Sequence, residues 1–306
     1  MAQPVMSSGN VRPARALVVG ASGQVGGALM EALRERGHEA TGTYAAHPAE
    51  GAWPLDLTHG DAVEHAVMFV KPDWIFCPAG LSHVDYCEAH PDEAMRLNRD
   101  APLHLARMGQ RLGARFVYYS TDYVFDGVGG PFKEEDAARP LNAYGRSKLE
   151  GERALLDAIP RALVLRTSVV YGPEAQEKNF VYQLIRACRE GRPFRPASDQ
   201  RASSTYNPDL AAASVELCEQ GAEGLFHVAG SETLDRWAFA RLIVTTFALD
   251  GSQLTPVKTA ELGQPAARPL DGGLNVAKAQ ARVRTRLRGV AEGLRAMRDA
   301  LAARGR

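Results

Sequence analysis

Apolar positions along the chain fall into short runs, each ending in a glycine- or hydroxyl-rich turn and followed by a longer stretch with apolar residues at helical spacing. Residues 15–20 (RALVVG) form the first run, and helical spacing resumes over 28–36. After the break at Gly37, residues 38–44 read as a second strand, a helix follows over about 61–70, and residues 72–77 (PDWIFC) read as a third, buried strand. A helix from 91 to about 112 leads into a fourth strand at 115–119, and a further helix carries residues 142–152. Residues 162–167 and 224–229 supply the last two strands, with helical spacing over 205–220 between them. Strands that alternate with helices need crossover connections, so the expected fold class is α/β with a doubly wound parallel sheet.

Beyond residue 172 the pattern is less regular. It holds a helix at 180–190, a proline-rich stretch at 192–196 (RPFRP), a helix at 237–249 and a terminal helix over about 290–303. The expected organisation is a dinucleotide-binding domain at 14–172, rejoined by about 205–230, and a smaller C-terminal substrate-binding lobe from 173–204 and 231–306. No repeat, coiled coil or low-complexity tract is present in the sequence.

Composition narrows the function. With 45% hydrophobic residues among 306 the chain can bury a large core. Its 36 basic residues balance 36 acidic ones, which announces no polyanion-binding surface and argues against a nucleic-acid partner. Cys77, Cys87, Cys188 and Cys218 lie far apart, without the two-residue spacing of a zinc knuckle or redox pair, and read as thiols in a reducing compartment. No window approaches 18 apolar residues, and the first 14 lack the apolar run of a signal peptide. The expectation is a cytoplasmic protein with a loose N-terminal tail and no membrane partner. A homodimer is compatible with the sequence, which carries no signal of oligomeric state.

Candidate chemistry gathers at the strand ends. Between the first strand and helix stands Gly20-Ala21-Ser22-Gly23-Gln24-Val25-Gly26, where glycines allow a tight turn, let backbone N–H groups approach a pyrophosphate and let helix pack on strand. That placement makes the sheet Rossmann-type. The second strand ends in Gly42-Thr43-Tyr44 with no carboxylate before Glu50, although an acid there would hold an adenosine 2′-hydroxyl. This leaves room for a 2′-phosphate, with His47 the nearest basic group, or it simply finishes a strand. Asp56 and Leu57, with Ala79 and Gly80, complete the cofactor candidates. Ser82, His83 and Val84 follow the third strand, on the edge where open α/β sheets keep their ligands, and His83 suits a plain solvent-facing loop equally well.

The fourth strand delivers Ser120-Thr121-Asp122-Tyr123 to the same edge, where a hydroxyl can polarise a substrate carbonyl. Tyr144 and Lys148, four residues apart on a helix, share one face, so the ammonium could lower the phenol's pKa and hold a ribose hydroxyl. A bare pair at this spacing also occurs on ordinary surface helices, and the neighbouring motifs decide between the two. On spacing alone Asn98, in mid-helix, reads as solvated.

Taken together, GASGQVG, VDYCE, STDYVFDG, PLNAYGRSKLEGE, LRTSVVYG, Asn179-Phe180, DQRASSTYNPDLA and the ARP loop before Leu274-Asn275 resemble the extended short-chain dehydrogenase/reductases. Within them the chain resembles the dTDP-4-dehydrorhamnose reductase family. The resemblance implies Thr121, Tyr144 and Lys148 as catalytic triad, Asn98 as the helix residue completing a proton relay, and Asp122 and Tyr123 near the sugar. It implies reduction of the C4 ketone of a nucleotide-linked 6-deoxy-4-ketohexose by a reduced nicotinamide; the missing acid at 42–44 makes NADPH the expected preference, with NADH possible. Ser82, Val84, Val169, Asn179, Gln200, Arg201 and Thr205 are the remaining substrate-binding candidates, Arg201 being assigned to the diphosphate. Three departures touch the site: Val169 stands where Trp is common, Cys77 where Asn is usual, and Gly273 where Ser is usual. The acidic residues tied to magnesium in some members cannot be placed, so no metal is expected. The competing readings are a non-catalytic subunit resembling the methionine adenosyltransferase β subunit, and a nucleotide-sugar epimerase or dehydratase.

Overall fold

A computed structural model describes residues 12–305; the expected N-terminal tail lies largely outside them. Twelve strands occur among the described residues: β1 (Arg15–Val19), β2 (Glu39–Tyr44), β3 (Trp53–Pro54), β4 (Trp74–Cys77), β5 (Arg115–Thr121), β6 (Leu163–Thr167), β7 (Val170–Tyr171), β8 (Arg201–Ala202), β9 (Thr205–Tyr206), β10 (Gly224–His227), β11 (Leu234–Asp235) and β12 (Asp271–Gly272). Seven of them form one parallel sheet in the order β10-β6-β5-β4-β1-β2-β3. The order reverses between β1 and β4, which opens a crevice at their carboxyl ends. Every residue of β4 and all but the first of β1 are buried, as a strand covered on both faces requires. The two-residue edge strand β3 has no counterpart in the sequence reading, because two residues carry no periodicity.

The helices are α1 (Gln24–Glu35), α2 (Gly60–Val70), α3 (Val84–Ala89), α4 (Pro91–Met95), α5 (Ala101–Arg111), α6 (Ala143–Ala158), α7 (Phe180–Arg189), α8 (Asn207–Glu219), α9 (Arg236–Phe247), α10 (Ala277–Gln280) and α11 (Val290–Ala303). Leu29 and Leu33 of α1 and Leu210 and Leu217 of α8 cover one face of the sheet. Val63 of α2, Leu105 of α5 and Leu155 of α6 cover the other. A separate core of Leu184, Phe239, Ile243, Leu294 and Met297 unites α7, α9 and α11. Leu274, Val276 and Leu287, in the C-terminal stretch, pack instead into the core against the main sheet.

Two local features set the site. The helix expected over 91–112 is interrupted: α4 and α5 are joined by a π-helical turn at Arg96–Asp100, the kind of insertion that turns one residue inward, here Asn98. Helix α6 starts at an Asn142 cap whose side-chain oxygen accepts from the Gly145 N–H at 2.9 Å. Farther along, buried Glu152 takes a two-pronged hydrogen bond from Arg166 of β6, at 2.9 and 2.6 Å, which ties α6 to the sheet.

Candidate active site at the carboxyl edge of the sheet

A cleft of about 600 Å³ opens where β1, β4, β5 and β6 end. Its floor is the glycine turn. The N–H groups of Gly20 and Ala21 both donate to the Thr43 carbonyl, at 3.0 and 2.7 Å, which pins the turn to β2 and directs the start of α1 at the cleft. A side chain on Gly26 would put its Cβ 2.0 Å from the Gly20 carbonyl oxygen, so this glycine permits α1 to touch the turn. Gly20, Ser22, Gly23, Gln24, Val25 and Gly26 all line the cleft, as do Ala79 and Gly80. Thr43, Tyr44, Asp56 and Leu57 do not. Thr43 is buried, Tyr44 half-buried, Leu57 belongs to the core, and exposed Asp56 accepts from the N–H and hydroxyl of Thr58, at 2.8 and 2.7 Å. His47 reaches the cleft in their place.

Thr121, Asp122, Tyr123, Tyr144 and Lys148 meet on the opposite wall with Ser82, Val84 and Val169. The Thr121 hydroxyl donates to Asp122 Oδ1 at 3.1 Å and faces the Tyr144 phenol, whose ring stands edge-on to Tyr123 with centroids 5.8 Å apart. Lys148 Nζ donates to the Tyr119 carbonyl at 2.8 Å and lies 4.6 Å over the Tyr118 ring. Burial pushes the Tyr144 phenol well above its ordinary value, opposed by the Thr121 hydroxyl, and brings Lys148 down from 10.5 to about 8. The spacing argument, in which Lys148 lowers the phenol, is therefore corrected. Desolvation dominates, and the ammonium is engaged by a backbone carbonyl. Behind it, the buried Cys77 thiol is pushed up to about 12, again by burial.

Asn98 is fully buried, not solvated. Its Nδ2 donates to the Leu81 carbonyl and to Ser147 Oγ, both at 2.9 Å, while its Oδ1 accepts from the Leu81 N–H at 2.9 Å. Ser147 in turn donates to the Tyr144 carbonyl at 2.8 Å. Asn98 thus staples the loop after β4 to the helix bearing Tyr144 and Lys148. A Cβ on Gly80 would come 2.7 Å from Asn98 Oδ1 and 3.2 Å from Lys148 Nζ, so this approach also needs glycine.

A second cleft, of about 470 Å³, shares Val84, Tyr123, Val169, Val170 and Arg236 with the first and runs into the lobe. Lys178, Arg195, Arg236 and Arg268 line it, and among the described residues no carboxylate does. Arg268 is held by Asp85 at 2.8 Å, whereas the Arg236 guanidinium stands 5.3 Å from the Phe180 ring. Burial lowers the pKa of Arg236. Asn179 and Gln200 also line this cleft, Gln200 donating to the Tyr123 hydroxyl at 3.2 Å and Asn179 capping α7. Arg201 and Thr205 do not. Arg201 projects from β8 with its side chain 55% exposed, 3.9 Å from Asp271, and the buried Thr205 hydroxyl donates to backbone, including the Ser168 carbonyl at 2.6 Å. Val169 has φ +41°, a strained value for a β-branched residue, at the junction of the two clefts.

A family model described as the RmlD substrate binding domain matches residues 14–303. The chain belongs to that family. A dTDP-4-dehydrorhamnose reductase of Mycobacterium tuberculosis is 34% identical over 264 residues, covering 84% of this chain and 83% of that protein. Methionine adenosyltransferase 2 subunit beta of Bos taurus is 31% identical over 276 residues, covering 88% and 82%. The crystal structure of dTDP-4-dehydrorhamnose reductase from Bacillus anthracis in complex with NADP superposes with a TM-score of 0.86 at 29% identity, covering 94% of this chain and 99% of that one.

Among the cleft residues that sequence reading of this family member missed are Ser168, Gln176, Lys178, Arg195 and Arg236, with Arg268 seen only as part of the ARP loop. Arg236 gives no signal in sequence: it is the first residue of α9, in a segment without a recognisable motif. Gln176 crosses from the lobe and donates to the Ser22 carbonyl at 2.9 Å, a contact over 154 positions that no local pattern encodes.

Proposed function

We propose that the protein is an NAD(P)H-dependent reductase of the C4 ketone of a nucleotide-linked 6-deoxy-4-ketohexose, with the lobe of residues 173–204 and 231–306 binding the nucleotide. The observation that carries this is the position of Thr121, Tyr144 and Lys148 in a glycine-floored cleft that joins a cation-lined one at Tyr123, Val169 and Arg236. The residues present suit a dinucleotide. The turn is a cradle that a Cβ at Gly26 would fill, and the buried Gln24 amide nitrogen and Ser120 hydroxyl line the same cleft with no hydrogen-bond partner among the described residues. When bound, the cofactor supplies a hydride from the nicotinamide C4. Lys148 holds the nicotinamide ribose, and Tyr144, kept protonated by burial, gives its proton to the forming alkoxide. The Thr121 hydroxyl then faces a phenolate, which it stabilises. Arg236, Arg195 and Lys178 offer charge-assisted contacts to the diphosphate, taking the part that sequence alone assigns to Arg201.

NADPH is the expected preference. The end of β2 carries no carboxylate, and His47, three residues beyond it, lines the first cleft as a basic group suited to a 2′-phosphate. Kinetics with both cofactors at one salt concentration check this, and faster turnover with NADH would remove it. For the substrate, the test compares nucleotide-linked and free ketosugars under the same conditions. Remote binding energy should make the linked form far better. Equal kcat/KM for both would overturn the substrate assignment. Failure to reduce any linked ketosugar, with NADP still bound, would favour a regulatory subunit like the bovine relative.

A further inference from the structure

Reduction of a ketone consumes one proton as well as one hydride, and in the proposed reaction Tyr144 must be reprotonated after each turnover. The family resemblance routes that proton past Asn98, yet both Asn98 N–H bonds are spent on Leu81 and Ser147, and its oxygen on the Leu81 N–H. Its backbone carbonyl accepts from the Tyr118 hydroxyl at 2.6 Å. Asn98 lines neither cleft and is a positioning residue for α6.

On the other side of Tyr144 the connections are different. Thr121 faces the phenol and bonds Asp122, whose second oxygen accepts from Ser168 Oγ at 2.7 Å. Asp122 is 4% exposed and makes no ion pair among the described residues. The groups facing it are the phenols of Tyr144 from α6 and Tyr123 from the following turn, the Arg236 guanidinium from α9, and the Thr121 and Ser168 hydroxyls; from β12 Gly272 lies against it, where an added Cβ would come 2.8 Å from Asp122 Oδ2. A carboxyl so enclosed, with no bonded cation, takes up a proton readily.

We propose that Asp122 is the proton reservoir of this site, recharging Tyr144 through the Thr121 hydroxyl; the inference rests on the reductase reading above. The steps balance. The hydride adds to the carbonyl carbon, the C–O π pair becomes the alkoxide lone pair, and the alkoxide takes the Tyr144 proton. The phenolate takes the Thr121 hydroxyl proton as Thr121 takes that of the Asp122 carboxyl, which is left as carboxylate and is recharged by solvent through the cleft. Burial raises the Asp122 pKa from 3.8 to about 6, opposed by the Ser168 and Thr121 hydroxyls, which keeps both forms accessible near neutrality.

The experiment measures kcat against pH with saturating NADPH and a nucleotide-linked ketosugar for the wild type, Asp122→Asn, Thr121→Val and Thr121→Ser, with NADPH affinity of each as the control for folding. In the wild type kcat should fall as pH rises through the carboxyl's titration. Asp122→Asn and Thr121→Val should be slower by at least about tenfold, the low end of a positioned proton-transfer group's effect, and should lose that descending limb. Thr121→Ser, which keeps the hydroxyl, should retain it. A descending limb surviving in either Asp122→Asn or Thr121→Val, with NADPH bound normally, would overturn the proton line and leave the reductase reading intact. A wild type that binds NADPH but reduces no linked ketosugar would overturn the reductase reading, and this inference with it.

Discussion

The two clefts that meet at Tyr123 and Val169 are built in opposite ways. The first is assembled from contiguous runs: the turn at 20–26, the ends of β4 and β5, and two residues one helical turn apart on α6. The second draws its cations from Lys178, Arg195, Arg236 and Arg268, brought together only by the packing of α7, α9 and the loops beside them. A strand-end motif carries its own geometry, because strand, turn and helix dictate where its atoms point. A cleft walled by a lobe depends on how that lobe is folded back, and its charges need no spacing rule. If this difference is real in function, damage to the first cleft should abolish chemistry, and damage to the second should weaken substrate binding while sparing the cofactor.

The largest effect expected is at Tyr144. Tyr144→Phe should lower kcat by about 10²- to 10⁴-fold, the range for a positioned acid, with little change in NADPH affinity. Wild-type turnover in that variant would remove Tyr144 as the acid. Lys148→Ala should instead damage both turnover and cofactor binding. On the other side of the comparison, Arg236→Ala removes charge-assisted hydrogen bonds worth about 1.5–3 kcal/mol, so kcat/KM for a nucleotide-linked ketosugar should fall roughly 10- to 100-fold. Its NADPH affinity should be close to that of the wild type; a large loss there would erase the distinction between the clefts.

A smaller effect concerns stability. Lys148 is held at about 8 in the folded protein against 10.5 in the ordinary state, chiefly by burial, so below pH 8 the folded state carries the cost of a desolvated ammonium. Between about 8 and 10.5 the unfolded chain binds the proton more tightly, and stability due to this group rises with pH across that window. Thermal melts of the wild type and Lys148→Met should therefore shift in the wild type's favour as pH rises through it, and a constant difference in Tm would refute this. The smallest effect belongs to Arg201→Ala. An exposed side chain 3.9 Å from Asp271 should contribute within about 0.5 kcal/mol of stability and leave KM unchanged. A tenfold rise in KM would return the diphosphate to Arg201.

Much of the site was legible beforehand because its chemistry rides on regular elements. The glycines at 20, 23 and 26 follow a strand and open a helix, and Tyr144 and Lys148 follow helical periodicity. The position of Asn98 was legible but its surroundings were not: the π-helical turn that swings it inward has no propensity signature, and the Leu81 and Ser147 partners come from 17 and 49 positions away. Arg201 shows the reverse error. A cation in a loop motif invites assignment to a phosphate, but the pairing of β8 with β11 and β12 turns its side chain outward beside Asp271.

By itself the sequence determined the layered α/β fold and the family's ordered motifs, since hydrophobic period, turn chemistry and short-range spacing are local properties that survive without knowledge of the whole. Tertiary structure alone decided which charges face the cleft, which way the pKa of Tyr144 and Lys148 moves, and which hydroxyl touches which carboxyl. Those quantities depend on desolvation and on distances of a few ångströms between residues far apart in the chain, and packing sets them.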